Sequence, residues 1–187
     1  MSLPRLPAIP PEQYDARQRQ AAAQFEATRG RAPFGPFEAM MHSPELMALV
    51  QSVGEYLRYR SALGTTLSEL AILVTARSWT QDYEWNLHAP IAAKAGIRAE
   101  TIAAIREGRR PEGMSEDEAI VYDVSIELHR NRCVSDASWD RAERRFGKAG
   151  VVDLVGINGY YALLAMQLNA ARYPLPEGGS RLPRLPE

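Results

Sequence analysis

Glu84 and His88 stand four residues apart in TQDYEWNLHAPIAAKAG, residues 80 to 96. At that spacing a carboxylate and an imidazole meet on one face of a helix, where the carboxylate can orient the ring and the ring can carry a proton near neutral pH. With about 100° per residue, Glu84, His88, Ile91 and Ala95 form one stripe, with Trp85 and Ala92 along its edge and Asn86, Pro90 and Lys94 pointing away. The rest of the stripe is apolar, so both ionisable groups are expected to be buried. Burial is unfavourable for them unless they are paired or used. Two readings stay open on spacing alone: a carboxylate that merely satisfies an imidazole, and a proton-transfer unit. Glu69, on the preceding helix, adds a third polar group. Thr66-Leu67-Ser68-Glu69 also fits a capping box, in which Glu69 would only bond the backbone at the helix start.

The elements that must hold these groups read as helices. Apolar residues recur at three and four through the middle of the chain, and alternating strand-like runs are missing. SPELMALVQSVGEYLRYRSALG predicts a helix over 44–63, with Ser43 as N-cap, Pro44 at the first position, Gly64 past the end, and Leu46, Leu49, Val50, Val53 and Leu57 on one face. A second helix opens near Thr66, and AETIAAIREG gives a short one ending at Gly108. A fourth starts with Ser115 and Glu118 in capping-box spacing, and SDASWDRAERRFG makes a fifth. AGVVDLVGINGYYALLAMQLNAARY is apolar nearly all round, as a central helix or a subunit contact would be. Residues 12–29 form an additional N-terminal helix. LPRLP occurs at 3–7 and again at 182–186, and proline at that density predicts extended arms, either disordered or laid across a neighbouring subunit.

The 187 residues, 45% of them hydrophobic, suffice for one core and one domain. Lys and Arg number 22 against 23 Asp and Glu, with no long run of either sign, so neither nucleic acid nor an anionic membrane is an expected partner. Prolines interrupt the N-terminus where a signal peptide needs an apolar run, and no 18 apolar residues are consecutive; the expectation is a cytoplasmic protein. Cys133 is the single cysteine, in a segment that reads as a helix end, which excludes an intrachain disulfide, a CxxC pair and a cysteine-rich zinc site.

Glu69, Gln81, Glu84 and His88 resemble, in their spacing, the motif E-x11-C-x2-C-x3-H of the AhpD-like alkylhydroperoxidase and carboxymuconolactone decarboxylase superfamily. Gln81 and Glu84 occupy the two cysteine positions, which removes thiol redox chemistry. YEWNLHAPIAAKAGI is instead similar to the cysteine-free members grouped with γ-carboxymuconolactone decarboxylase, and the resemblance extends through LSELAIL, IAAIREG and VDLVGINGYYALLAMQLNA, roughly residues 40–175. It implies an all-α, AhpD-like bundle with long antiparallel central helices, a homo-oligomer (trimer, a multiple of it, or dimer), a small-molecule substrate, and no cofactor or metal.

It also implies a cofactor-independent lyase acting on a small lactone or cyclic carboxylic acid. The electrons left by CO2 can delocalise through a ring double bond into a carbonyl, so the protein need only place a proton. His88 is then the general acid/base, Glu84 its orienting partner or a second proton carrier, and Glu69 a supporting carboxylate, with Tyr83, Trp85, His42 and Gln81 as pocket wall. The alternatives are another cofactor-free hydrolase or isomerase, a noncatalytic oligomeric binding protein, and a metal site built from Glu69, Glu84, His88 and His42, although the HExxH and ExxH spacings are absent.

Overall fold

The computed structural model describes residues 3–185; Pro186, the last residue of the second LPRLP string, lies outside them. Eight α-helices follow in order among the described residues: α1 (Ala16–Arg29), α2 (Pro36–Met40), α3 (Pro44–Tyr59), α4 (Gly64–Ser78), α5 (Asp82–Lys94), α6 (Ala99–Arg106), α7 (Glu116–Asn131) and α8 (Asp136–Ala171). The all-α reading holds.

Local chemistry fixes the boundaries. α1 starts at a capping box in which Asp15 accepts from the Gln18 N–H and the Gln18 side chain returns the bond, and Gly30 closes the helix at φ 69°. α7 starts at the expected Ser115/Glu118 capping box. α8 unites the two helices read separately in the sequence, with one break at Gly147, where φ 68° and ψ 172° are open to glycine but not to a β-carbon. α2 gave no periodic signal, being only five residues long.

The centre of the bundle is α4. All ten residues from Ser68 to Arg77 are buried, because α5, α7 and α8 pack against it on successive sides. α8 passes for a membrane span by length and apolarity, yet 56% of its apolar window is buried in the protein, as in a core helix.

α3 departs from expectation. It ends at Tyr59, before residue 63, and Gly64, at φ 72°, opens α4 instead of closing α3. Its buried face is Met47, Val50, Gln51, Gly54 and Leu57. Leu46, Leu49 and Val53 point to solvent, Leu49 being 69% exposed. The sequence stripe was assigned on apolar side chains alone, whereas the helix turns its small residue, Gly54, inward to meet α8.

The arms lie on their own chain. Arg5 donates its backbone N–H to the Ala171 carbonyl (2.7 Å), and the Leu182 N–H bonds Asp82 (2.8 Å) with the Leu182 side chain buried. Arg5 and Leu182 thus tie both arms to the body of their own chain.

Candidate functional site

α4 and α5 are joined by a three-residue connection, Trp79 to Gln81, so they pack as antiparallel neighbours. That hairpin brings Glu69 of α4 against His88 of α5. The His88 Nδ1 lies 2.7 Å from Glu69 Oε2 and its Nε2 lies 3.4 Å from Glu84 Oε2, all three side chains being 2–3% exposed. The Arg58 guanidinium of α3 reaches the second oxygen of Glu69 at 3.5 Å. From α8, the Tyr161 ring meets the imidazole edge to face, with centroids 5.1 Å apart.

Of the two carboxylates, Glu69 and not Glu84 stands at the shorter distance from the ring. Glu69 makes the short bond that fixes the ring, and the capping-box reading of Glu69 fails because it sits in the buried interior of α4, with Thr66 bonding the Ala95 carbonyl instead. Glu84 keeps one oxygen, Oε1, buried with no hydrogen-bond partner. The Tyr160 hydroxyl is in the same condition. Glu84, His88, Tyr160, Tyr161, Arg58 and Arg29 all line one small cavity of about 20 Å³, covered by Phe34, Pro36 and Phe37 from the α1–α2 region. That volume holds about one water molecule and no ring.

Burial lowers the proton affinity of His88, but the bonds and charges of Glu69 and Glu84 outweigh it and hold its pKa above the ordinary 6.5. Burial likewise pushes the Tyr161 phenol well up, so it stays protonated. Burial lowers the proton affinity of the Arg58 guanidinium, and the negative charges nearby, Glu69 among them, raise it by more. His88 thus holds its proton more tightly than a free imidazole, between the side chains of Glu69 and Glu84, with the Arg58 guanidinium beside Glu69.

The four residues expected in the pocket wall lie elsewhere. Gln81 caps α5, its side-chain oxygen accepting from the Tyr83 and Glu84 N–H groups and its amide donating to Asn169. Trp85 is core at 3% exposure. Tyr83 packs edge to face on Tyr173 and against Gly35. His42 is exposed, with Nε2 at the Pro7 carbonyl, and so cannot join the proposed metal set. Because both imidazole nitrogens are directed at different carboxylates, Glu69, Glu84 and His88 do not converge on one point as metal ligands would. The sequence reading missed Arg58, Arg29, Tyr160 and Tyr161, whose approach depends on how α1, α3 and α8 pack, a signal that no local spacing carries.

Residues 44–120 match the model of the carboxymuconolactone decarboxylase family. The matched stretch is 77 of the 187 residues. It contains Glu69, Glu84, His88 and Arg58, while the cover from α1–α2 and the tyrosines of α8 lie outside it. The fold is shared with the AhpD-core, peroxidase-related protein of Ralstonia eutropha JMP134, at TM-score 0.76 and 13% identity over 95% of each chain. It is shared too with the debrominase Bmp8, both unliganded and, as an alanine variant, in complex with 2,3,4-tribromopyrrole, at TM-score 0.72 and 12% identity over 91% of each chain. At such identities the likeness is one of fold. No curated protein matches the chain.

Proposed function

We propose that this protein, whose residues 44–120 match the carboxymuconolactone decarboxylase family, is a cofactor-independent lyase that transfers a proton to a small lactone or cyclic carboxylic acid. The observation that carries the reading is the unpartnered Glu84 Oε1 beside the Tyr160 hydroxyl in the cavity of His88. A buried carboxylate oxygen or hydroxyl without a partner costs about 1–3 kcal/mol, and a polar ligand would recover that. Glu69 fixes the ring through Nδ1, leaving Nε2–H, only loosely held at 3.4 Å by Glu84, as the proton to be delivered.

In such a reaction the bond from the ring carbon to the carboxylate breaks, CO2 leaves, and the electron pair moves through the ring double bond onto the carbonyl oxygen. His88 Nε2–H then protonates the carbon as the carbonyl re-forms, and the imidazole regains its proton from solvent, with Glu84 as the relay. Arg58 and Arg29 supply positive charge for the substrate carboxylate. A hydrolase or isomerase would use the same pair. Gln81 and Glu84 in place of two cysteines leave no thiol relay, so peroxide reduction is not part of the proposal.

The 20 Å³ volume favours a second reading, in which the trio is a structural pair and the protein a noncatalytic binding module. Under the catalytic reading, Phe34 and the α1–α2 cover move to admit substrate. The test is a panel of γ-lactone acids and cyclic β-keto acids presented to the purified protein, with CO2 release and ultraviolet change as readouts. Turnover supports the lyase, and a panel with no turnover and no binding supports the second reading.

A further inference from the structure

On the other side of α4, a cavity of about 310 Å³ is bounded by α6, α7 and the C-terminal arm. It shares no lining residue with the His88 cavity. That volume is at the lower end of the range for small-molecule sites.

Arg77 lines it while only 5% exposed, and its Nε and Nη1 are buried with no hydrogen-bond partner among the described residues. A guanidinium stays charged, and an uncompensated buried charge is strongly unfavourable. The carboxylate that acts most on Arg77 is Asp82, which is engaged by the Leu182 N–H (2.8 Å) and by Arg181 (3.5 Å). Arg106 adds a second positive charge nearby and bonds only the Ser180 hydroxyl and the Arg181 carbonyl. Among the described residues no Asp or Glu lines the cavity, and Arg130 brings a second guanidinium to its wall.

Val74, Ile105, Ile126 and Leu185 form the apolar part of the wall, and Ser78, Thr80, Tyr122 and His129 add polar groups to it. Leu185 closes one end over Gly108, where a β-carbon would come within 2.4 Å of the leucine methyl. Thr80, also on the wall, holds φ 44° although it is β-branched, a strained conformation of the kind that collects at functional sites.

We propose that this cavity is a second binding site, for a small carboxylate with an apolar body, in which Arg77 takes the carboxylate and Val74, Ile105 and Ile126 enclose the body. The proposal does not depend on the lyase reading, because it uses none of that site's residues.

The test is methyl NMR of the full chain titrated with benzoate, with neutral benzamide and inorganic phosphate as comparisons. Benzoate is expected to give saturable shifts at the Val74, Ile105 and Ile126 methyls, which benzamide does not reproduce and phosphate reproduces only weakly. Arg77→Met should weaken binding at least tenfold, and its thermal midpoint should rise in anion-free buffer, because an unpaired buried charge has been removed. Arg77→Lys keeps the charge without the planar fork, and should bind at intermediate strength should the methionine variant fail to fold. Absent shifts, shifts confined to Leu87 and Leu164 of the His88 cavity, equal response to benzamide or phosphate, or unchanged binding by both variants would each overturn the proposal.

Discussion

His88 gives its short bond, 2.7 Å from Nδ1, to Glu69 nineteen residues earlier in the chain, and stands 3.4 Å from Glu84 on its own helix. The tertiary partner thus outranks the helical one, and the two carboxylates should respond differently to substitution. Glu69→Leu removes one member of a buried hydrogen-bonded pair and should cost about 3–5 kcal/mol of stability. Glu84→Gln breaks only the looser contact and should cost about 1 kcal/mol or less, while suppressing turnover. Chemical denaturation of both variants checks the order, and equal losses would contradict the assigned roles.

His88 also makes stability depend on pH. Its folded pKa is raised above 6.5, so the folded chain binds the proton more tightly than the unfolded chain does. The stabilisation is fully present below about pH 6.5 and is lost as pH rises through the folded pKa. The stability margin of wild type over His88→Gln should therefore shrink from pH 6 to pH 9, as read by urea unfolding at each pH. A margin that grew with pH would mean that His88 is held neutral.

Gly54 lets α3 approach α8 where Tyr160 enters the cavity. A β-carbon there would stand 2.0 Å from the Tyr160 hydroxyl oxygen, so that ring must move. Gly54→Ala should cost about 1–3 kcal/mol as overpacking, despite the better helix propensity of alanine. It should also disturb the His88 site, which the chemical shift of the imidazole protons would report. A variant as stable as wild type with an unshifted imidazole would show that Tyr160 is free to leave.

How much of this was readable beforehand differs by residue. The α4–α5 pairing of Glu69 with His88 was legible because a fixed spacing lies across one short hairpin, and the helix ends at Ser115 and Gly30 follow local capping chemistry. The shorter bond of Glu69 was not, because Thr66 and Glu69 satisfy a capping pattern equally well until the true start of α4, at Gly64, is seen. Arg58 and Tyr160 reach the site through helix packing, which no sequence period encodes. Tyr83 and Trp85 flank Glu84 in the chain, but the helix turns Trp85 to the core, and His42, distant in the chain, stays on the surface at the Pro7 carbonyl.

The leucines misplaced on α3 carry a further expectation. Leu46, Leu49, Val53 and Tyr56 form an exposed apolar stripe on α3, and Val152, Val155, Leu163 and Met166 form another along α8, Val152 being 67% exposed. Contiguous apolar surface of this kind is costly in a monomer. We propose that the protein is a homo-oligomer, and light scattering coupled to size exclusion should return a dimer, a trimer or a multiple of it at micromolar concentration. Leu49→Glu with Val152→Glu should shift that mass toward the monomer, and a wild-type monomer would refute the proposal.

Arg58 stands on the cavity wall with Glu69 as its only carboxylate contact among the described residues, at 3.5 Å. With an acidic substrate in place, Arg58→Met should raise KM by roughly tenfold or more and lower kcat less, because a charged hydrogen bond contributes about 1.5–3 kcal/mol to binding. A kcat loss with KM unchanged would instead place Arg58 in the chemical step.

The most direct test of the central claim is CO2 release by wild type and by folded His88→Gln on the same lactone or cyclic acid substrate. Loss of a general acid removes roughly 10²–10⁴-fold of rate, so the variant should fall by at least the lower figure while its unfolding transition stays cooperative. Turnover by folded His88→Gln within a few fold of wild type would contradict proton transfer by His88 and leave the Glu69–His88 bond as a structural pair.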